Sequence, residues 1–249
     1  MIHTCIIIGT EYTGQYANSY FLSQTNIKPF IISHEIVTKI INNTEHFEIL
    51  TKNNKYKTKT IIISTGSTPN KLPQIPDFVN INNNLPIAVI GGGNSACEKA
   101  EHLSKLASKV YLIHRRDKLK ADDKISQIIK LNEKIITIPN SELIKVYENE
   151  NYIIELRNNQ TGILFNLPIS QLYTEIGNTP NSKFVSDLIH LDSKGYIKTN
   201  NKMETNIKGI WAIGSVQNNN IINPYISICI ATFQVEKYLT NYLDLVNNS

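Results

Sequence analysis

Apolar and polar positions along residues 87–138 predict a strand, a helix, a strand, a helix and a strand in succession. Three further strands are predicted near 142–147, 152–157 and 163–168, because the apolar runs there are separated by turns rich in Asn, Glu and Gly. Strands that alternate with helices are typical of an α/β domain with a parallel sheet. This stretch is therefore predicted to form one α/β unit.

The segments before and after this unit also show the apolar and polar spacing of strands and helices. The elements predicted there are a strand at 5–9, a helix at 12–22, a strand at 29–33, a hairpin leading to a strand at 60–64, strands at 172–176 and 209–214, and an amphipathic helix at 226–245. Four prolines within 69–86 and the stretch 177–183 are typical of linkers. The predicted segments are therefore 1–83, 84–171 and 172–249.

A glycine turn follows the first strand of the central segment. Gly91 allows a tight backbone turn, Gly93 allows close approach to a pyrophosphate, and Ala96 allows the helix to pack closely on the strand. The N–H groups at the start of the helix, where Asn94 and Ser95 lie, favour a bound phosphate. This order of strand, turn and helix predicts a Rossmann-like dinucleotide site.

The next strand ends at His114, Arg115 and Arg116, where a site for unphosphorylated NAD would place an acid. Guanidinium groups suit a 2′-phosphate, whereas a ribose diol would find no acceptor there. The ligand inferred is NADP(H). The alternative interpretation is a chance glycine turn followed by a solvated strand end. Farther along, Asp122 and Asp123 are predicted to cap the next helix.

Composition and charge narrow the function classes. The 249 residues carry a formal net charge of +4, and the basic residues outside 114–124 are scattered, so a nucleic-acid partner is not expected. No apolar stretch is long enough to cross a bilayer and no signal peptide is recognisable, so a cytoplasmic protein without a membrane partner is expected. The six histidines are dispersed, and neither a metal site nor a catalytic residue is predicted.

Several segments together resemble the bacterial-type thioredoxin reductases, of the pyridine nucleotide-disulfide oxidoreductase family. The segments are GGGNSA at 91–96, ASKV at 107–110, IHRRD at 113–117, IGNTPN at 176–181 and GIWAIG at 209–214. The resemblance implies two Rossmann-like three-layer domains of the FAD/NAD(P)-binding fold, the first split in sequence. Residues 1–83 and 172–249 would form an FAD-type domain around an NADP(H)-binding domain at 84–171. It also implies a homodimer, a cation at Lys120 for the 2′-phosphate, and a cofactor contact at Gly177.

The N-terminal segment departs from the family pattern. In the flavin-binding turn Gly9 and Gly14 remain, but Glu11 and Tyr12 occupy the middle. A Glu11 carboxylate beside the pyrophosphate would repel it by up to about 4 kcal/mol at an intermediate effective dielectric. Glu35 lies where the family has the acid that holds the FAD ribose, although it is equally consistent with an exposed acid at a strand end.

Further departures affect the remainder of the FAD site. Thr65 and Gly66 resemble a family turn, but the segment between Glu35 and the strand at 60–64 is short. Ser215 replaces the family aspartate that holds the flavin, and residues 219–221 and 225–228 differ from the stretches that meet its ring. These changes predict a weakened FAD site.

The three cysteines, Cys5, Cys97 and Cys229, include no Cys-x-x-Cys pair. Disulfide exchange needs one thiolate to attack and a neighbouring thiol to resolve the intermediate, so all three are predicted to be small buried hydrophobic residues. The sequence favours a thioredoxin reductase-like protein that binds NADP(H) but has lost dithiol-based reduction and much of its FAD site. One alternative is an FAD-dependent NADPH oxidoreductase that passes electrons to an external acceptor. A weaker one is a structural partner of an intact reductase.

Overall fold

The computed structural model describes residues 1–9, 12–72, 85–148, 152–217 and 224–247. The chain divides into two compact units. The first unit comprises residues 1–68 and 179–249, and the second comprises residues 69–178. The first unit is thus split in sequence and the second is continuous.

The elements follow one another in this order: β1 (Ile2–Ile8), α1 (Tyr12–Gln24), β2 (Phe30–Ile32), β3 (Val37–Asn42), β4 (Phe47–Thr51), β5 (Lys55–Ile63), β6 (Ser67–Pro69), β7 (Ile87–Ile90), α2 (Asn94–Ser104), β8 (Val110–Ile113), α3 (Asp123–Leu131), β9 (Ile135–Ile138), β10 (Ser141–Glu148), β11 (Tyr152–Asn158), β12 (Leu164–Ile169), β13 (Gln171–Thr174), β14 (Asn178–Pro180), β15 (Ile210–Ala212) and α4 (Pro224–Asn247). The short strands β6 and β14 pair with each other.

The sheet of the first unit has the strand order β2-β1-β5-β4-β3, and β15 pairs with β5. Strands β1, β2, β5 and β15 are parallel, whereas β3 and β4 form antiparallel pairs. Side chains of α1 and α4 pack on one face, and those of β3, β4 and the segment 184–197 contribute to the core on the other. Burial on both faces explains why residues 5–8 of β1 and the end of β5 are continuous apolar runs.

The second unit has three layers. Its parallel sheet has the order β13-β7-β8-β9. Helices α2 and α3 cover one face, and the antiparallel sheet β10-β11-β12 covers the other. The predicted α/β architecture of Rossmann-like nucleotide-binding type is confirmed, including the succession of strands and helices from 87 to 138 and the three strands that follow.

The unit boundaries differ from those expected. Strand β13 pairs in parallel with β7, with Leu172 beside Ala88 and Tyr173 beside Val89. The strand expected to open the C-terminal segment therefore belongs to the second unit, which ends at 178 rather than 171 and begins at 69 rather than 84. The apolar pattern identifies a strand but not the strand with which it pairs. Of the proline-rich linker, residues 73–84 lie outside the described residues.

Among the described helices, none combines the length and the apolar composition that spanning a bilayer requires.

Candidate nucleotide-binding sites

The glycine turn of the second unit begins at the carboxyl end of β7. Gly91 has φ +149°, and a Cβ there would lie 2.3 Å from the Glu175 carbonyl oxygen and 2.9 Å from the Ala96 Cβ. A side chain at 91 or a larger one at 96 would therefore force the turn away from β13 and α2. The Glu175 backbone closes this side of the turn, a contact that the sequence did not indicate because β13 is distant along the chain.

Gly93 is packed differently. A Cβ at Gly93 would meet no atom of the described residues within 4 Å, so the space in front of it is open with respect to them. Gly93 is also the N-cap residue of α2, and no side chain caps this end of the helix among the described residues. The first N–H groups of a helix have no partner within the helix. The helix start at Asn94 and Ser95 is therefore suited to an anionic group.

His114 lies behind the same turn. It is only 6% exposed, and a Cβ at Gly92 would lie 3.0 Å from the His114 Cβ. Its Nδ1 is buried and has no hydrogen-bond partner in the described part of the chain. Burial lowers the pKa of His114, although the Arg116 backbone and the Asp117 carboxylate act in the opposite direction. Burial thus disfavours the protonated form of the His114 imidazole, whereas Arg115 and Arg116 keep their charge.

Arg115 and Arg116 supply the positive charge of this region, and their side chains are exposed. Their backbones are anchored, since the Arg116 carbonyl accepts a hydrogen bond from Asn140 N at 3.0 Å and the Arg115 carbonyl accepts one from Asn159 Nδ2 at 3.4 Å. Lys120 N donates to Gly92 O at 2.6 Å, which holds the loop after β8 against the turn. The structure thus brings these three residues to the region of the turn.

Asn94 and Asp122 join the starts of α2 and α3. Asn94 Nδ2 donates to Asp122 Oδ2 at 2.6 Å, and Asp122 N donates to Asn94 Oδ1 at 2.8 Å. Asp122 is the N-cap residue of α3 and Asp123 lies in the first turn, as predicted, but the Asp122 carboxylate makes no capping bond to that helix. Asn94 thus uses its side chain to hold the start of α3 beside the start of α2.

The remaining residue predicted for this unit, Gly177, follows β13. It has φ +94°, a conformation that favours glycine. Its carbonyl accepts a hydrogen bond from Asn70 N at 2.9 Å.

The two glycines of the N-terminal turn serve the packing of the first unit. A Cβ at Gly9, where φ is +106°, would lie 2.2 Å from the Ser64 carbonyl oxygen, and a Cβ at Gly14 would lie 2.3 Å from the Gly9 carbonyl oxygen. Both positions therefore require glycine whether or not a ligand binds. Glu11, the residue expected to repel a pyrophosphate, lies outside the described residues.

Three tyrosines gather at the starts of α1 and α4, and we call Tyr12, Tyr16 and Tyr225 the tyrosine cluster. The Tyr12 ring centroid is 4.3 Å from that of Tyr16 and 5.8 Å from that of Tyr225, and the Tyr12 and Tyr225 hydroxyls are hydrogen-bonded. Next to Tyr12, Thr13 Oγ1 is bonded to Ser64 Oγ at 2.6 Å. The cluster lies where the sequence departs from the flavin-binding pattern, but the departure alone did not indicate that the rings would meet.

The polar residues predicted to hold FAD are engaged within the protein. The Glu35 carboxylate accepts hydrogen bonds from Thr51, Asn54 and Tyr56 of the β4–β5 hairpin, and the bond from Thr51 contributes most to lowering its pKa.

The turn after β5 is also closed by protein groups. Thr65 Oγ1 donates to the Asn181 carbonyl at 2.7 Å, and the Gly66 carbonyl accepts from Asn181 N at 3.0 Å. In the described part of this site, Glu35, Thr65 and Gly66 are therefore hydrogen-bonded within the protein. Residues 219–221, also expected to differ at the flavin ring, lie outside the described residues.

The cysteines differ in exposure. Cys5 and Cys97 are buried, as predicted, and burial raises the pKa of Cys5 to about 12 and that of Cys97 to about 11. Cys229 is exposed, which contradicts the prediction, because it falls on the solvent side of α4. The described residues contain no group of three or more His, Cys, Asp or Glu side chains arranged to hold a metal ion.

Comparison with known proteins gives a consistent match. Residues 17–234 match the family model described as pyridine nucleotide-disulphide oxidoreductase. The chain is 33% identical over 233 residues to the mitochondrial thioredoxin reductase of Kluyveromyces lactis, covering 83% of this chain and 66% of that protein. It is 31% identical over 261 residues to mitochondrial thioredoxin reductase 1 of Arabidopsis thaliana, covering 94% of this chain and 68% of that protein. The chain thus spans about two thirds of the length of these relatives.

Solved structures show the same likeness. The crystal structure of Lactococcus lactis thioredoxin reductase aligns with a TM-score of 0.77 and 25% identity, covering 96% of this chain and 99% of that one. The crystal structure of T. acidophilum thioredoxin reductase aligns with a TM-score of 0.74 at 18% identity, covering 97% of this chain and 99% of that one, which shows a shared fold.

Proposed function

The chain belongs to the pyridine nucleotide-disulphide oxidoreductase family and is thioredoxin reductase-like, and we propose that it binds NADP(H) in its second unit without performing dithiol-based disulfide reduction. One observation carries the proposal. The open space at Gly93 faces the uncapped start of α2, and Arg115 and Arg116 lie exposed on the loop that folds against the same turn.

The residues of this turn fit a phosphorylated dinucleotide. The helix start would hold the pyrophosphate. Among the described residues the buried His114 Nδ1 has no hydrogen-bond partner, and a bound phosphate or its water would supply one. Neither Arg115 nor Arg116 forms an ion pair with any described residue, so both guanidinium groups are available. The 2′-phosphate distinguishes NADP(H) from NAD(H), and these two guanidinium groups would recognise it.

The two arginines provide the test. One charge-assisted contact contributes about 1.5–3 kcal/mol, so Arg115→Ala or Arg116→Ala should weaken NADPH binding by about tenfold or more and change NADH binding little. Titration calorimetry measures both affinities. Lys130→Ala, which removes an exposed charge at the other end of α3, is the matched control and should leave both unchanged. Equal affinity of the unmodified protein for NADPH and NADH would refute the assignment.

The proposed loss of disulfide reduction rests on the thiols. The sequence holds no Cys-x-x-Cys, and the raised pKa values of Cys5 and Cys97 keep both as thiols at neutral pH. A single exposed thiol, that of Cys229, has no resolving partner in its sequence vicinity. Two-electron exchange with a disulfide requires both groups.

We also propose that FAD binding is weak or absent. Support comes from the tyrosine cluster at the starts of α1 and α4, and from the hydrogen bonds that already engage Glu35 and Thr65. The alternative, an FAD-dependent NADPH oxidoreductase with an external acceptor, requires these groups to be released.

A cytoplasmic homodimer remains part of the proposal. The family resemblance supports the homodimer, and the buried free thiols suit a reducing compartment.

A further inference from the structure

A small pocket in the first unit lies at the turn between β3 and β4. Its volume is about 130 Å³. The lining residues come from the turn, from β5, from the loop before β15 and from α4: Asn42, Asn43, Thr44, Glu45, His46, Phe47, Lys59, Lys208 and Tyr238. We call this the turn pocket. None of its residues belongs to the sites described above.

The lining of the turn pocket is rich in groups that donate hydrogen bonds. The lining includes two lysines, Lys59 and Lys208, and one acidic residue, Glu45. Lys59 Nζ donates to the Glu45 backbone carbonyl at 2.9 Å, so this ammonium is fixed beside the turn. Lys208 Nζ lies 5.7 Å from the centre of the Tyr238 ring. Like charges that share a small pocket repel each other, and a bound anion relieves the repulsion.

The backbone at Gly209 brings the second lysine into place. Gly209 has φ +90°, and a Cβ there would lie 3.0 Å from the Phe47 ring and 3.5 Å from the Tyr238 hydroxyl. Glycine therefore allows the chain next to Lys208 to approach the wall formed by β4 and α4. The opposite wall is the turn itself, closed by the hydrogen bond from Asn43 N to His46 O at 3.0 Å.

The imidazole ring of His46 gives independent evidence for a ligand in the turn pocket. Both of its ring nitrogens are buried and have no hydrogen-bond partner among the described residues. The nearest carboxylate oxygen, Glu48 Oε1, lies 3.6 Å from Nε2, which is too long for a hydrogen bond, and Glu48 is engaged by Lys55 at 2.6 Å. An imidazole carries at least one N–H, so the pocket lining contains a buried donor that lacks an acceptor.

We propose that the turn pocket binds a small oxyanion of the phosphate or sulfate type. Such an anion supplies an acceptor oxygen to His46 and carries a charge opposite to those of Lys59 and Lys208. The volume argues against a larger ligand, because sites for drug-sized molecules occupy roughly 300 Å³ or more. The phosphate group arrives either as the free ion or at the end of a small phosphate monoester.

The experiment is a titration of inorganic phosphate into the full chain at constant ionic strength, with chloride as the replaced anion. Calorimetry gives the affinity, and the ¹³C-labelled histidine ring signals, assigned with His46→Gln, give the place of binding. We expect saturable shifts of the His46 signal. Lys208→Ala and Lys59→Ala should each weaken binding at the His46 signal by at least fivefold. Lys28→Ala, an exposed lysine outside the pocket, is the matched control.

The start of α2 is also a candidate phosphate site. The experiment therefore distinguishes binding at the start of α2 from binding in the turn pocket. Shifts at His114 that disappear in Arg116→Ala, with no saturable shift at His46, would overturn the proposal. Shifts at His46 that persist in both lysine variants, with circular dichroism showing that the variants are folded, would also overturn it. In a parallel titration, glycerol 3-phosphate distinguishes the sources: binding as strong as that of phosphate supports a monoester, and weaker binding supports the free ion.

Discussion

Cys229 is the one cysteine whose side chain reaches solvent. Cys5 lies in β1 and Cys97 in α2, both buried, and their raised pKa values make them poor nucleophiles. We therefore expect a single thiol per chain to react rapidly with Ellman's reagent in the native protein, and three after denaturation. Cys229→Ser should abolish the rapid reaction and Cys97→Ser should preserve it. Rapid labelling of two thiols, or loss of the reaction in Cys97→Ser, would contradict this assignment.

The contacts of single glycines and of Glu35 differ from those expected from the sequence. Glycine at 9, 14 and 91 was expected for ligand approach or a tight turn. A Cβ at any of these positions would lie so close to a backbone carbonyl that packing alone requires glycine. Glu35 was expected at a ribose, yet three side chains of the β4–β5 hairpin already bond to it. These partners depend on tertiary contacts, which residue type and spacing do not specify.

The β7–α2 turn contains one glycine that the packing requires, Gly91, and one that is proposed to contact the ligand, Gly93. Gly91→Ala should lower the free energy of unfolding by more than about 2 kcal/mol, because the new Cβ clashes with the Glu175 carbonyl at a φ that disfavours side chains. Gly93→Ala should leave stability nearly unchanged, since its φ of −96° suits alanine and the space is open, but should weaken NADPH binding.

Thermal melting by circular dichroism and NADPH titration separate the two effects. A Gly93→Ala protein that melts like the parent and binds NADPH equally well would show that the open space is not used by the ligand. A Gly91→Ala protein of parental stability would show that the turn tolerates a side chain at 91.

At the level of elements, periodicity located most strands and helices. The run β7-α2-β8-α3-β9 and the strands β10, β11 and β12 were predicted, because apolar spacing and turn residues are local signals. The pairing of β13 with β7 was not predicted, since these strands are separated by 80 residues of chain. The Asn94–Asp122 link between α2 and α3 was missed for the same reason.

For the whole molecule, membership of the family does not by itself indicate which of the family's cofactors the chain binds. The chain matches the family model over 17–234 and spans about two thirds of the length of its reductase relatives. In the second unit, the described residues leave an open helix start beside exposed arginines. In the first unit, Glu35, Thr65 and Gly66, which were expected at a flavin, are hydrogen-bonded to other groups of the protein. The proposal that one nucleotide site is kept and the other is lost follows from this difference.

Equilibrium dialysis of the purified chain against equal concentrations of NADPH and FAD, read from the absorption spectra of the two chambers, examines both sites in one sample. We expect an excess of NADPH, approaching one molecule per chain at saturation, and no excess of FAD on the protein side. One FAD bound per chain, or no bound NADPH, would contradict the proposed function. The first result would instead favour a flavin-dependent NADPH oxidoreductase.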